Sequence, residues 1–190
     1  MTQRYSYIAI GANLPPQPGG AKATLTEALK AFAGESLTLV GKSLWYHTPA
    51  FPAGIGPDFV NAVVRIVSEL TAQQVMAALH RIEAELGRTR GQRWAARVCD
   101  LDLLDYDGEV LPNMEIWQHW RGLSPAAQAK QTPDQLILPH PRMQDRAFVL
   151  VPLSEIAPAW RHPVLGETAR ELRDKLPKSE IERIHVIDEA

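Results

Sequence analysis

Length, composition and charge favour a single small domain. The chain has 190 residues, and since a domain usually takes about 100 to 200 residues, there is little room for two. With 20 basic and 22 acidic residues the net charge is -2, which argues against nonspecific electrostatic binding to nucleic acid. One cysteine excludes a disulfide framework, and no apolar run reaches the roughly 18 residues of a membrane span. We therefore expect one cytoplasmic domain over residues 1–190, with no nucleic-acid or membrane partner.

The hydrophobic pattern of residues 1–106 has the order β, α, β, β, α, β. Helix patterns, with apolar residues three and four apart, lie at residues 21–32 and 71–86. Strand patterns, which alternate or are rich in β-branched residues, lie at residues 5–11, 37–45, 59–67 and 98–106. This order is the split βαβ arrangement. It predicts an α+β fold with a ferredoxin-like core, in which both helices pack on one face of an antiparallel sheet.

Turn and capping residues predict where these elements end. Gly11-Ala12-Asn13 is expected to be the exit turn of the first strand, and Gly34 lies where the first helix should be capped. Pro49 should close the second strand, so that the second and third strands pair as a wide hairpin. Thr71 followed by Gln74 is a capping box that should open the second helix.

The remainder of the chain has weaker patterns. Residues 111–135 form a long polar, insertion-like stretch, which predicts a short helix plus loop on the surface. Residues 148–156 are apolar and fit either a buried helix or a strand, while residues 180–188 alternate like a terminal strand. We expect these segments to be C-terminal additions to the core.

The sharpest chemical signal is the pair Asp100 and Asp102. Residues two apart on a strand point to the same face, so the two carboxylates should lie side by side. Such oxygen ligands suit Mg²⁺, which takes one or two carboxylates and completes its shell with water and substrate phosphates. The alternative is a solvated strand edge, because a D-x-D pair alone is a weak motif. Cys99, Leu101 and Leu103 should face the helices, which leaves the carboxylates on the open face.

An arginine-rich segment directly precedes these aspartates. Residues 87–96 have no apolar period and read as a loop, and this region carries Arg88, Arg90, Arg93 and, just beyond, Arg97. Guanidinium groups bind phosphate oxygens in a bidentate manner that lysine does not reproduce. An isolated cluster would be interpreted as a solvated charge run, but beside paired carboxylates it favours a phosphate compound bound with metal. Residues 49–57 form a second irregular loop, rich in proline and glycine, that is well placed to carry function.

Several further residues are candidate ligand contacts only because the paired carboxylates and the arginine-rich segment already point to a binding site. His140 lies between two prolines, which restrict its backbone, and Arg146 follows it closely. Asn61 is a polar residue inside a strand pattern; it could bind a flat heterocycle, although a bulge or an edge position is the commoner explanation. Phe59 and Phe148 could contact such a ligand, but from the sequence alone a core position is favoured for both.

These residues together resemble the 6-hydroxymethyl-7,8-dihydropterin pyrophosphokinase family of folate biosynthesis. The likeness covers residues 7–163 in the family's order, through YIAIGANL, YHTPAF, PDFVNAVV, RIEAELGR, RWAARVCDLDLL, LILPHPRMQDRAFVLVPLSEIAP and HPVLG. The resemblance implies an enzyme that transfers pyrophosphate from ATP to the hydroxymethyl group of the pterin and releases AMP.

The resemblance also implies roles for the residues around the aspartates. Asp100 and Asp102 match the positions that bind two Mg²⁺ ions, which bridge the phosphates of the co-substrate ATP. Arg97 and Arg146 are implied to be catalytic together with both aspartates, because they would neutralise charge as the β-phosphorus is attacked. The positions implied to bind ATP are Arg88, Arg97, Leu103, His140 and Arg146.

A pterin site and a pair of closing loops are implied in the same way. Phe59 and Phe148 would sandwich the pterin, and Asn61 would read its edge. The other positions implied to contact the pterin are Thr48, Pro49, Ala50, Phe51 and Asp100. Closure of the loops at residues 49–57 and 87–96 over the substrates is implied to involve Glu83, Arg93 and Trp94.

Two rival interpretations come from other classes of protein. A nucleotidyltransferase on the same core would use the paired aspartates on a nucleic-acid hydroxyl, but the low net charge argues against it. A non-catalytic binding module would be either an RNA-binding sheet, whose aromatic strand motif is absent, or a paralogue that kept the pterin pocket. The presence of Asp100, Asp102, Arg97, His140 and Arg146 argues against the paralogue.

One departure from the family pattern is the segment at residues 111–135, which is longer than in short family members. It should lie close to the adenine, so nucleotide preference or assembly could differ. A monomer is the family expectation.

Overall fold

The computed structural model describes residues 2–13, 20–49, 57–87 and 99–187. Within these ranges, no helix is both long and apolar enough to span a bilayer. Most of the two predicted loops, at residues 49–57 and 87–96, lies outside them. So do six of the predicted site residues: Ala50, Phe51, Arg88, Arg93, Trp94 and Arg97.

The described elements follow the predicted order and then continue with helices. The strands are β1 (Arg4–Ala12), β2 (Thr38–Lys42), β3 (Tyr46–Thr48), β4 (Phe59–Ser68), β5 (Asp100–Tyr106) and β6 (His185–Val186). The α-helices are α1 (Gly20–Ala31), α2 (Ala72–Glu85), α3 (Met114–Gly122), α4 (Pro125–Lys130), α5 (Ala147–Ile156), α6 (Ala169–Asp174) and α7 (Lys178–Ile181). Short 3₁₀ helices lie at Phe32–Glu35 and Met143–Asp145.

The strands form one antiparallel sheet in the order β5-β1-β4-β3-β6, with β2 also paired to β4. The central strands are β1 and β4, which pair from Arg4 with Ser68 to Ala12 with Val60. The predicted α+β fold and its split βαβ core are therefore confirmed.

Apolar residues pack on both faces of this sheet. Because alternate strand residues point to opposite faces, Ile8 and Val64 pack with Leu79 of α2 on the first face. On the second face, Ala9 and Val63 pack in another cluster, which includes much of α5 and α6. The expectation that the second face is open is therefore wrong for most of its area, because α5 covers it.

Element boundaries depart from the predictions where distant contacts decide them. β1 continues through Gly11 to Ala12, so the predicted exit turn is wrong: Gly11 pairs with Asn61 on one side and Asp100 on the other. The left-handed residue after the first helix is Ser36, with φ of 60°, rather than Gly34.

The second predicted strand is divided into β2 and β3. Between them, the hydroxyl of Ser43 accepts a hydrogen bond from the backbone N–H of Val63 at 3.0 Å. The backbone N–H of Leu44 donates to the carboxylate of Glu155 in α5 at 3.1 Å. The chain therefore leaves the regular ladder here, although both strands pair with β4 as the wide hairpin predicted.

The other predicted elements are largely confirmed. The capping box of Thr71 and Gln74 opens α2, as predicted. Residues 148–156, whose apolar pattern fits either a helix or a strand, lie in α5. The predicted terminal strand is present as the two residues of β6, preceded by α7.

A bulge in β5 places a buried carboxyl group on the second face. Ile8 pairs with Leu103 and Tyr7 with Asp105, so Leu104 is an extra residue on β5. Asp105 is 2% exposed, and its Oδ1 has no hydrogen-bond partner among the described residues. Burial raises the pKa of Asp105 to about 6, against hydrogen bonds from Gly108 and Trp160 that lower it.

This raised pKa gives a testable pH dependence of stability. Between the pKa of Asp105 in the unfolded chain, near 4, and its pKa of about 6 in the folded protein, the folded state binds more protons than the unfolded state. The contribution of Asp105 to stability is therefore present below about pH 4 and is lost as the pH rises through about 6. Asparagine does not titrate, so the unfolding free energy of Asp105→Asn minus that of wild type should increase by about 2 kcal/mol from pH 4 to pH 7. Urea unfolding at both pH values measures this, with the exposed Asp134→Asn as control. A constant difference between variant and wild type would contradict the expectation.

Candidate active site

The predicted carboxylate pair lies at one end of the second face. Asp100 and Asp102 begin β5, are half-buried, and pair with Gly11 and Ala9 of β1. Leu101, between them, is 1% exposed and packs in the first core cluster with α1 and α2. The alternation that the sequence predicted for this strand is confirmed, so both carboxylates point to the same face.

A buried glutamate holds the start of this strand. Glu83 of α2 is 3% exposed, and its Oε1 accepts a hydrogen bond from the backbone N–H of Leu101 at 2.8 Å. Breaking a buried hydrogen bond leaves its donor without a partner, so the contact restrains the peptide between the two aspartates. The predicted role of Glu83 in loop closure stays a prediction, because the loop lies outside the described residues.

A guanidinium group lies beside the carboxylates. Arg146, 44 positions further along the chain, places Nη1 at 3.4 Å from Oδ2 of Asp102. Arg146 directly precedes α5, and its guanidinium carbon is 5.5 Å from the ring centroid of Phe148. The structure thus brings together a carboxylate, a guanidinium and an aromatic ring that the sequence identified separately.

His140 is held next to the same group. Its backbone N–H donates to the carbonyl of Leu104 in β5 at 2.8 Å, and its Nδ1 accepts from the backbone N–H of Arg142 at 3.2 Å. Burial lowers the pKa of His140 to about 4; the positive charge of Arg146 adds to this effect and Asp102 opposes it. The imidazole is therefore neutral near pH 7, with Nδ1 as acceptor and the proton on Nε2.

An amide group lies on the same face, across β1 from Asp100. Asn61 of β4 is 7% exposed, and its Nδ2 donates to Oγ1 of Thr48 at 2.6 Å. Gly11 lies between Asn61 and Asp100 in the register of the sheet. An ideal Cβ built on Gly11 would be 2.3 Å from Oδ1 of Asn61, well inside contact distance. The absence of a side chain on Gly11 therefore lets the amide lie over β1.

Gly11 is a site residue that the sequence interpretation missed, because the glycine was assigned to a turn. The available signal was its position within an apolar alternating run, where glycine often marks the close approach of another group.

The two phenylalanines lie on different elements, β4 and α5. Phe59 begins β4, is half-buried, and pairs with Thr48 of β3. Phe148 lies in the first turn of α5 and packs at the edge of the second core cluster. Both are accessible in part, as the sandwich of a flat ligand requires, but the sandwich itself stays a prediction. Pro49 follows β3 directly and is half-buried.

Leu103 differs from the other predicted site residues. Its side chain is 3% exposed and lies in the first core cluster, with the helices. It points away from the carboxylates, so that a nucleotide contact could come only from its backbone.

The donor set at Asp100 and Asp102 fits Mg²⁺. Among the described residues, no group of three or more His, Cys, Asp or Glu side chains is placed to hold a metal ion by itself. Two carboxylates on one face are nevertheless the protein ligands that Mg²⁺ uses where substrate phosphates complete its shell.

Paired carboxylates with a guanidinium and a neutral imidazole form a site typical of phosphoryl transfer, in which positioning and charge neutralisation do most of the catalysis. Residues 7–158 match the family described as 7,8-dihydro-6-hydroxymethylpterin-pyrophosphokinase. The chain belongs to this family and is accordingly a diphosphotransferase, which confirms the resemblance noted from the sequence.

Curated relatives match most of the chain. The 2-amino-4-hydroxy-6-hydroxymethyldihydropteridine pyrophosphokinase of Methylorubrum extorquens is 36% identical over 94% of this chain and 98% of its own length. The protein of the same name from Haemophilus influenzae is 37% identical over 80% of this chain and 81% of its own length. That from Pseudomonas aeruginosa is 35% identical over 97% of this chain and 98% of its own length.

Solved structures agree on the fold. A Plasmodium falciparum HPPK-DHPS chain superposes with a TM-score of 0.67 at 15% identity, covering 98% of this chain and 48% of that one. This chain therefore spans about half the length of that structure. At this identity the likeness supports the α+β architecture alone.

Proposed function

We propose that the chain transfers a pyrophosphoryl group from ATP to the hydroxymethyl oxygen of 6-hydroxymethyl-7,8-dihydropterin and releases AMP. The acceptor and the reaction type follow from the family to which the chain belongs, and the reaction is a step of folate biosynthesis. The observation that carries the proposal is the contact of Arg146 with Asp102, because it joins an anion-binding group to a metal-binding group in one site.

Asp100 and Asp102 are the residues that would hold Mg²⁺, and we propose two ions. Bound there, the ions neutralise phosphate charge. The hydrogen bond from Leu101 to Glu83 restrains the strand between the two carboxylates and so maintains their spacing.

Arg146 and His140 bind the triphosphate in this proposal. The guanidinium supplies positive charge, with Arg88 and Arg97 acting from the preceding loop. The imidazole is neutral because burial lowers its pKa to about 4, so it acts as a hydrogen-bond donor through Nε2. Leu103 contributes backbone only, since its side chain is in the core.

The amide and aromatic groups across β1 bind the pterin. One N–H of Asn61 is used by Thr48, which leaves the second N–H and the carbonyl oxygen for the edge of the pterin. Phe59 and Phe148 cover its two faces. In the same proposal, Pro49, Ala50 and Phe51 also contact the pterin, and Glu83, Arg93 and Trp94 take part in loop closure.

The reaction needs positioning and charge neutralisation more than a strong base. The hydroxymethyl oxygen bonds to the β-phosphorus in line as the bond from the β-phosphorus to the oxygen of the α-phosphate breaks. Arg97 and Arg146 stabilise the charge that develops. The proton of the hydroxymethyl group leaves as the bond to the β-phosphorus forms, and no residue is assigned as the base that accepts it.

AMP release from ATP and Mg²⁺, measured with and without 6-hydroxymethyl-7,8-dihydropterin, tests the proposal. AMP formed only with the pterin is the expected result. AMP formed equally without the pterin, or tight pterin binding with no AMP, would overturn it. The cytoplasmic location, the single-domain organisation and the monomeric state stay predictions.

A further inference from the structure

The segment between β5 and His140 does more than cover the surface. The sequence predicted a short helix plus loop there, but Trp117 of α3 is only 2% exposed. The helix is anchored at its start by Asn113, whose Oδ1 accepts from the backbone N–H of Ile116 at 3.0 Å. We call Leu111 together with α3 the brace.

The brace contacts the segment at residues 138–146 at both of its ends. Leu111 and Leu138 exchange two backbone hydrogen bonds, of 2.8 and 3.0 Å. Arg121 places Nη2 at 3.3 Å from Oδ1 of Asp145, the residue before Arg146. These contacts lie on either side of His140, and the second ends one residue before Arg146.

The central contact is buried and directional. Nε1 of Trp117 donates to the carbonyl oxygen of Pro139 at 2.7 Å, one residue before His140. Pro139 is itself buried, so its carbonyl would lose its hydrogen-bond partner without the indole N–H. The bond restrains the peptide that leads into His140.

Trp117 also packs against a second aromatic ring. The indole meets the ring of His162 edge to face, with centroids 5.5 Å apart. His162 is completely buried and also contacts Trp160. A phenylalanine at position 117 would keep an aromatic ring there, but it would remove the N–H donor and part of the packed volume of the indole.

We propose that Trp117 is a positioning residue of the nucleotide site, which acts through the carbonyl of Pro139 to orient His140, with Arg121 supporting the Arg146 end. This inference rests on the proposed function, in which His140 and Arg146 bind the triphosphate.

The test compares Trp117→Phe with Trp120→Phe, a half-buried tryptophan on the same helix whose ring contacts His119. We expect Trp117→Phe to raise KM for ATP about five- to tenfold, with KM for the pterin unchanged, because one hydrogen bond to a buried carbonyl is lost. Trp120→Phe should match wild type. Unchanged KM values in Trp117→Phe, with only a lower melting temperature, would overturn the proposal.

Calorimetric titration of the same proteins with ATP and Mg²⁺ separates this inference from the proposed function. Weaker ATP binding by Trp117→Phe supports the positioning role of Trp117 even where no AMP is released, and binding equal to that of wild type overturns it. Arg121→Gln keeps the test decisive if Trp117→Phe does not fold, because Arg121 is near the surface. A two- to threefold weaker affinity is then expected, since such ion pairs are worth little, and unchanged affinity would count against the proposal.

Discussion

Replacing both aspartates that we propose to hold Mg²⁺, as Asp100→Asn with Asp102→Asn, should lower the rate of AMP formation by about a thousandfold or more. Asparagine keeps the size of each side chain but removes both negative charges that attract Mg²⁺. It also removes the charge that Arg146 contacts at 3.4 Å, so the guanidinium loses a partner that helps to place it. Steady-state AMP release at saturating ATP and pterin measures the effect.

The matched control is Asp134→Asn, which removes one exposed carboxylate remote from β5 in sequence. It should retain wild-type activity. Circular dichroism and the melting temperature show whether the double variant is folded. A folded double variant with activity within tenfold of wild type would rule out the assigned role of the two carboxylates.

Gly11→Ala should damage the proposed pterin site and leave ATP binding intact. The new Cβ would lie 2.3 Å from Oδ1 of Asn61, so the amide must move and its 2.6 Å bond to Thr48 is strained or broken. We expect KM for the pterin to rise at least about tenfold, because one or more buried hydrogen bonds are lost. The free energy of unfolding should fall by about 1 to 3 kcal/mol. Kinetics with each substrate varied in turn, together with urea unfolding, measures both.

Gly41→Ala is the control for strand glycines. Gly41 lies in β2, and the nearest atom to a Cβ built there is 3.6 Å away, which is ordinary van der Waals contact. Its KM values should equal those of wild type. If Gly11→Ala raised both KM values equally, the effect would be a general loss of structure rather than displacement of Asn61.

The local sequence pattern was sufficient to predict features whose contacts lie within one helix or strand. The capping box of Thr71 and Gln74 opens α2 as predicted, since both of its hydrogen bonds lie within four residues of the chain. The side-by-side carboxylates of Asp100 and Asp102 follow from strand alternation alone.

Local pattern was insufficient where a distant segment decides the outcome. The choice between helix and strand for residues 148–156 needed the second face of the sheet, where α5 buries Val149 and Leu153. Trp117 was assigned to a surface segment because its neighbours are polar, and only its contacts with Pro139 and His162 make it a core residue.

The sequence by itself determined the split βαβ order, because that order depends on hydrophobic periods of two and 3.6 residues. The family and the types of the candidate site residues followed from the resemblance of its ordered motifs to a known family. Only the tertiary structure decided that Arg146 meets Asp102, that Gly11 makes room for Asn61, and that Trp117 supports the approach to His140. Each of these contacts joins residues far apart along the chain. Their geometry depends on strand register and on which faces pack together, which no local pattern specifies.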